Sequence, residues 1–233
     1  GKQYLNGGYA EFIEVMDMNS GAVLYAKKAE EKRYPASITK VLSVLTALQY
    51  AKMSDTVVFS EDSISFLQWD DAQIGMKPGE EISMESALYG MLLASANEVS
   101  YAVAENVGKQ YLNGGYAEFI EEMNRISQEL GCTSSNWVNA NGLHDDNHYT
   151  TAHDMARIAA AAYQNEEFRR LETPLEYKVP PTNLTAEERI LDQNHKMLWP
   201  ENYYYYANAK AGKTGYTDQS KTTLVTMAEG NDM

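Results

Sequence analysis

At 233 residues, with ordinary apolar content, the chain is long enough for one large domain or for two lobes around a shared core. A formal net charge of −14 argues against nucleic acid as a partner and against attraction of the domain body to an anionic membrane, and reads most simply as solubility. One cysteine, Cys132, excludes an intrachain disulfide, and no apolar run reaches bilayer-spanning length.

No signal peptide is visible; because a trimmed mature chain would lack one, this says little about origin. Residues 1–14 (GKQYLNGGYAEFIE) are identical to residues 108–121. Nothing else recurs at that interval, so this is not a repeat architecture. The second copy continues as an amphipathic helix with Phe119, Ile120, Met123, Ile126 and Leu130 on one face. The first runs into a strand and a turn, so one copy reads as foreign, an artefact at residues 1–14. Residues 15–27 predict a β-hairpin turning at Asn19-Ser20-Gly21.

After a charged stretch, Tyr34-Pro35-Ala36 delays helix onset and places Ser37 in or near a first helical turn. Ile38, Val41, Leu42, Leu45 and Leu48 have helical spacing, so Ser37 and Lys40 project from one face about a turn apart. Backbone N–H groups are unpaired at such a helix start and favour an oxyanion there. By itself S-x-x-K is also what an ordinary solvated helix start looks like.

Residues 56–82 are mixed and turn-rich. Ser83 caps a helix carrying Leu88, Met91 and Leu92; the helix breaks near Ala94-Ser95-Ala96-Asn97, and another runs from about Glu98 to Gly108. Ser95 or Asn97 reads most simply as a cap. Cys132 reads as a small apolar residue at a helix exit. His144, His148 and His153, with Asp145, Asp146 and Asp154, raise a zinc reading, but their spacing fits no familiar signature. Thr151-Ala-His-Asp154 instead has the form of a capping box opening the Ala-rich helix 152–164. Residues 165–200 read as irregular connection with short strands. Tyr203–Tyr206 reads as strand or loop packing or as a ligand-stacking wall. Lys213-Thr214-Gly215 precedes the β-rich segment Thr222–Met227.

S-x-x-K, S-x-N and K-T-G in that order are far more specific than any one of them. With their surroundings (Tyr34-Pro-Ala-Ser-Ile-Thr-Lys40, Leu92-Leu-Ala-Ser-Ala-Asn-Glu98, Asn139-Ala-Asn-Gly-Leu143, His148-Tyr-Thr-Thr-Ala-His-Asp154, Gly212-Lys-Thr-Gly-Tyr-Thr217), residues 15–233 resemble the low-molecular-mass penicillin-binding proteins, most closely the serine-type D-Ala-D-Ala carboxypeptidases. The resemblance implies an α+β, penicillin-recognising fold of the β-lactamase/DD-peptidase kind. An antiparallel sheet flanked by helices (about 15–55 and 200–233) and a mainly helical lobe (about 56–199) form one catalytic domain with the cleft between them. The family continues with a further strand and a terminal helix beyond residue 233, and a missing strand would leave a sheet edge unpaired.

The resemblance also assigns roles. Ser37 is the nucleophile and Lys40 its base. A lysine with an ordinary pKa of ~10.4 is protonated at neutral pH, so burial and a second cation, Lys213, must keep it neutral. Ser95 relays a proton to the leaving amine. Asn97, Lys213, Thr214, Gly215 and Tyr216 bind substrate, and the N–H groups of Ser37 and Tyr216 form an oxyanion hole. No metal and no cofactor is implied. The expected partners are peptidoglycan stems ending in D-Ala-D-Ala, and β-lactams as covalent inhibitors. The location is the bacterial cell envelope, outside the cytoplasm, with any membrane contact made through segments outside this chain. Rival readings are a DD-endopeptidase, a class A-like β-lactamase using Glu172, and a non-catalytic penicillin-sensing wall-binding module.

Overall fold

The computed structural model describes residues 10–230. Residues 1–9 of the duplicated segment and residues 231–233 lie outside the described residues. The fold opens with a hairpin: β1 (Ile13–Met16) pairs antiparallel with β2 (Val23–Lys27). Its turn is built by Asp17, whose carboxylate accepts from the Ser20 backbone N–H at 2.7 Å, and by Gly21 at φ +71°. Ile13 and Glu14 are strand residues here, whereas their duplicates Ile120 and Glu121 are helical. Local sequence therefore does not decide the conformation of this word; its neighbours do.

A 3-10 turn (Ala36–Ile38) leads into α1 (Thr39–Leu48). The predicted stripe is buried: Val41 and Leu42 are fully covered and Ile38 and Leu45 nearly so. The opposite side is covered too, since Lys40, Ser43 and Thr46 are also buried. A helix buried all round must be central, and α1 packs against helices from every later part of the chain. The short ladder of β3 (Thr56–Val58) and β4 (Glu81–Ser83) flanks a brief helix α2 (Asp62–Ser65). The predicted Ser83 cap is present: its Oγ accepts from Ser86 N and starts α3 (Met84–Leu92). The break at 93–96 follows, then α4 (Asn97–Tyr111) and α5 (Tyr116–Glu129). Phe119, Met123 and Ile126 of α5 are buried, as the periodicity predicted.

Thr151 caps α6 (Ala152–Gln164), its Oγ accepting from Asp154 N. Cys132 is buried, and burial pushes its thiol up to about 12, so it acts as a small apolar residue. The expected irregular connection over 165–200 contains a further helix, α7 (Glu166–Glu172). Its signals are local: Asn165 accepts from Phe168 N, with Glu166 and Glu167 in the first turn and Arg169 and Arg170 in the last. A hairpin of β5 (Glu176–Val179) and β6 (Arg189–Asp192) follows. After a second 3-10 turn (Lys196–Leu198), β7 (Ala209–Thr217) pairs with β8 (Lys221–Ala228).

The α+β reading holds, with a difference in detail. Among the described residues the strands form four two-stranded antiparallel ladders, and β1–β2 and β7–β8 are separate ladders, with β1 and β8 both lying on α6. Each of the two is closed by its own hairpin turn. Tyr203–Tyr206, read as strand or loop, is turn and loop, and all four rings are exposed.

One buried ion pair ties the β3–β4 ladder to the β5–β6 hairpin. Arg189 Nη2 lies 2.8 and 3.0 Å from the two Glu80 carboxylate oxygens, and Glu80 is fully buried. Burial by itself would raise Glu80; hydrogen bonds from Thr182, Arg189 and Thr185 outweigh it and hold the carboxyl below its ordinary value. This contribution to stability is present above the ordinary value of 4.5 and is lost as pH falls through the lowered one. Arg189→Met leaves Glu80 buried without its cation, and urea unfolding at pH 7 is expected to show a loss of about 3–5 kcal/mol. The loss should shrink at pH 4, where Glu80 in the variant takes up a proton; an equal loss at both values would contradict the assignment.

Candidate active site

The site begins with a forced turn. Ala36 sits at φ +51°, an uncommon conformation for a residue with a side chain. Three contacts hold it there. Thr39 Oγ1 donates to Ala36 O at 2.8 Å, and Thr223 Oγ1 on β8 donates to Pro35 O at 2.8 Å. Thr39 Oγ1 also lies 2.8 Å from His148 Nε2. The other ring nitrogen, Nδ1, accepts from Val138 N at 3.1 Å, so Nε2 carries the hydrogen and donates to Thr39. Burial lowers His148 to about 4, so the ring is neutral as this chain of bonds requires. The turn places Ser37 in the 3-10 segment and Lys40 as the second residue of α1.

Lys40 is fully buried. Its Nζ lies 3.0 Å from Ser37 Oγ, 2.8 Å from Asn97 Oδ1 and 2.6 Å from Asn141 O. Two of these partners are acceptors and the third is a hydroxyl. A neutral amine fits this set: two N–H donate to Asn97 and Asn141, and the lone pair faces the Ser37 O–H. Lys40 is pulled well below the ordinary lysine range, first by burial and then by the Lys213 charge; Glu98 and Asp71 act against this. Both causes expected from the sequence, burial and a second cation, act here.

Ser95 and Asn97 are not caps. Ala96 is the N-cap of α4, and it makes no side-chain capping bond. Ser95 stands at φ +62° in the break between α3 and α4, and its Oγ accepts from Lys213 Nζ at 3.0 Å. Because Asn97 Oδ1 is taken by Lys40, its Nδ2 donor is the end left for a ligand. Glu98, next in sequence, is buried and accepts from Ile74 N at 2.7 Å, while Asn97 N donates to Ala72 O at 2.8 Å. Together they pin the loop bearing Asp71 beside the site.

Strand β7 brings the third motif. Lys213 is 1% exposed, and its Nζ also donates to Thr214 O at 2.9 Å. Burial lowers it to about 8, with Glu172 acting in the opposite direction. Thr214 is half-buried, and Tyr216 is exposed, with its hydroxyl donating to Asp218 Oδ1 at 3.2 Å. The missing side chain of Gly215 has a nearer cause than the substrate. A Cβ there would meet Thr223 Oγ1 and come within 2.8 Å of Ser37 N. Gly142, at φ +86°, presses from the other side, where a Cβ would meet Ala36 O and lie 2.9 Å from Ser37 N. The Ser37 backbone thus runs between two glycines.

All eight sequence-predicted residues, Ser37, Lys40, Ser95, Asn97, Lys213, Thr214, Gly215 and Tyr216, belong to the segments that meet here. Asn141 was missed as a site residue although its motif was noted; it acts through its backbone carbonyl, which no side-chain pattern reports. The three histidines go separate ways: His144 meets Tyr34 edge-on, His148 braces the turn, and His153 lies 2.9 Å from Glu14 and accepts from Arg157. Glu172 is fully buried, against Gly212 N and Gln193 Nε2. Chemically the site offers a hydroxyl beside an amine whose charged form is disfavoured, a second hydroxyl on a buried lysine, and a strand edge passing the Ser37 N–H.

Comparison with known proteins gives one consistent result. A family model described as D-alanyl-D-alanine carboxypeptidase matches residues 9–233. The D-alanyl-D-alanine carboxypeptidase DacF of Bacillus subtilis is 30% identical over 233 residues, covering 96% of this chain and 55% of the relative. DacB2 of Mycobacterium tuberculosis is 30% identical over 220 residues, covering 94% and 70%. The chain spans about half the length of the first curated relatives it matches. A crystal structure of a D-alanyl-D-alanine carboxypeptidase from Mycobacterium tuberculosis superposes with a TM-score of 0.83 at 29% identity, over 95% of this chain and 78% of the other. A Streptomyces DD-transpeptidase, at 22% identity and a TM-score of 0.84, over 95% and 86%, shares the fold.

Gly215→Ala tests the geometry. Its Cβ must push Ser37 N or β8 away, and misplacing reacting groups by about 1 Å costs on the order of 100-fold in rate. The expected outcome is a loss of that size in acylation of Ser37 by a penicillin with the fold retained by circular dichroism. Unchanged acylation would show that the strand does not set the position of Ser37.

Proposed function

The chain belongs to the D-alanyl-D-alanine carboxypeptidase family matched over residues 9–233, and from that premise we propose that it is a serine DD-carboxypeptidase acting on peptidoglycan stems that end in D-Ala-D-Ala. The observation that carries this reading is the pair of lysines: Lys40 Nζ 3.0 Å from Ser37 Oγ and Lys213 Nζ 3.0 Å from Ser95 Oγ. Both regions of the chain supply parts of the site, which supports treating residues 15–233 as one catalytic domain.

In the proposed reaction Ser37 Oγ attacks the carbonyl carbon of the penultimate D-Ala while its proton passes to neutral Lys40. The oxyanion that forms is held by the N–H groups of Ser37 and Tyr216. The closeness of Gly215 to Ser37 N supports this pairing, because Tyr216 is the next residue on the strand. Asn97 Nδ2 donates to a substrate carbonyl. Lys213 and Thr214 take the terminal carboxylate, by charge and by hydroxyl hydrogen bond. The intermediate collapses, the C–N bond breaks, and Ser95 relays a proton to the departing D-Ala amine. Water then hydrolyses the acyl-enzyme and frees Ser37. A β-lactam follows the first half of this path and stays bound. No cofactor enters any step. The location that suits such a substrate is the bacterial envelope; among the described residues no helix is long and apolar enough to cross a membrane.

A class A-like β-lactamase needs a carboxylate that activates water beside the acyl-enzyme. Glu172, with its contacts to Gly212 N and Gln193, supplies no support for that role. Incubation with a labelled penicillin, followed in time by mass spectrometry, tests the proposal. A long-lived adduct on Ser37, absent in Ser37→Ala, is expected. Rapid loss of the adduct would mean β-lactamase action, and no adduct would mean a binding module. Release of D-Ala from a pentapeptide, compared with cleavage of a cross-linked dimer, separates carboxypeptidase from endopeptidase.

The two lysines also set a pH profile. Protonated Lys40 cannot act as a base, so kcat/KM should rise with pH through its lowered value. Lys213 must stay charged to bind a carboxylate, so kcat/KM should fall as pH passes about 8. Lys213→Arg, which stays charged, should remove the alkaline fall; an unchanged fall would assign it to another group.

A further inference from the structure

Glu172 has no part in the proposed reaction, yet it is a fully buried acid on α7, directly under the strand that carries Lys213. Its Oε2 accepts from Gly212 N at 3.4 Å and from Gln193 Nε2 at 3.3 Å. Its Oε1 has no hydrogen-bond partner among the described residues. Burying a carboxyl in this way is costly unless its charge or its proton is used.

The surroundings narrow the use. On β7, Lys213 is the charge that acts on Glu172. On α1 the titratable group is Lys40, whose own counter-charges are Glu98 and Asp71. Beside Gly212 stands His195, which burial lowers to about 4 and which is therefore neutral. On α3, Glu85 pairs with Arg170 of α7 near the surface. From α6, Tyr163 meets Arg169 of α7, while Asp154 and His153 are engaged with Ser135 and Glu14 at the other end of that helix. Lys213 itself touches Ser95 Oγ and Thr214 O, both uncharged. Glu172 is the one acid among the charges that act on it.

We propose that Glu172 is a positioning residue for Lys213: an acid beneath β7 that ionises as the pH rises and then holds the Lys213 ammonium protonated in a cleft that would otherwise neutralise it. This rests on the reading of Lys213 as the carboxylate-binding cation. It gives each buried lysine its own acid: Glu98 for the base, Glu172 for the cation. Support comes from the titration of the pair. Burial lifts Glu172 to about 8 and lowers Lys213 to about 8. Below that pH the acid holds its own proton. Above it the acid ionises, and the new negative charge opposes loss of the Lys213 proton where that loss would begin. The carboxylate therefore extends the working range of Lys213 upward.

The test is Glu172→Gln, which retains an acceptor for Gly212 N and removes only the charge. The rate of Ser37 acylation by a penicillin, which bears a carboxylate, is measured from pH 6 to 10 in both proteins. The alkaline fall should begin about one pH unit lower in the variant, read as a roughly tenfold loss at the alkaline end, with rates near pH 6.5 within about threefold. The loss should lie in affinity for the penicillin and be absent for a ligand without a carboxylate. An unmoved alkaline limb would reduce Glu172 to a packing role and overturn the inference. Failure of the wild-type chain to form the Ser37 adduct would instead overturn the enzyme reading. Should Glu172→Gln not fold, NMR of lysine-labelled wild-type protein decides: the Lys213 Cε shift should show two inflections with pH, its own and that of Glu172, and a single inflection would refute the pairing.

Discussion

The structure depends on keeping a lysine amine dry. Lys40 has no exposed surface, and its Nζ meets two acceptors and one hydroxyl. Burial disfavours the charged form of this amine, and the Lys213 charge disfavours it further. That single preference dictates much of the architecture. α1 must be surrounded on all sides, so helices from across the chain close around it. The three partners of Nζ must come from different segments, because one helix cannot supply three acceptors around one of its own side chains.

Basic side chains are thereby drawn into the interior of a chain that as a whole is strongly negative. Two lysines lie buried in a protein of net charge −14. The excess acid is not only surface decoration. Glu98 and Glu172 are drawn into the interior behind the two lysines, each also accepting from a backbone N–H, on the loop at Ile74 and on the strand at Gly212. The same acids thus fix the segments that border the cleft.

Much of this was legible in the sequence. The apolar stripe of α1, the Ser83 and Thr151 caps, the break around Ser95 and the strand after Lys213 are local signals, and each element stands within a few residues of its expected place. Three short motifs were enough to name the side chains that meet. What was not legible acts through backbone or through distance. Asn141 contributes a carbonyl. Gly142 and Gly215 contribute space beside Ser37 N, which a sequence shows only as an absence. His148 looked like a metal-ligand candidate because its Thr39 partner lies 109 residues away. α7 was passed over despite its Asn165 cap, since prolines and charges further along the segment masked one short helix, and the environment of Glu172 went with it.

The turn at Ala36 also bears on how the chain comes to be active. The bonds that close it and fix Lys40 join residues 101, 109 and 188 positions apart. Such contacts are late to form, because the intervening chain must first be gathered in. A partly folded chain can have α1, and with it Ser37 and Lys40 on one face, long before Asn141 and Thr223 arrive. Until then the amine is wet and protonated and the serine is an ordinary alcohol. The proposed chemistry is thus withheld from a chain in which β8 has not yet docked, so that acylation of Ser37 would itself report arrival of that strand.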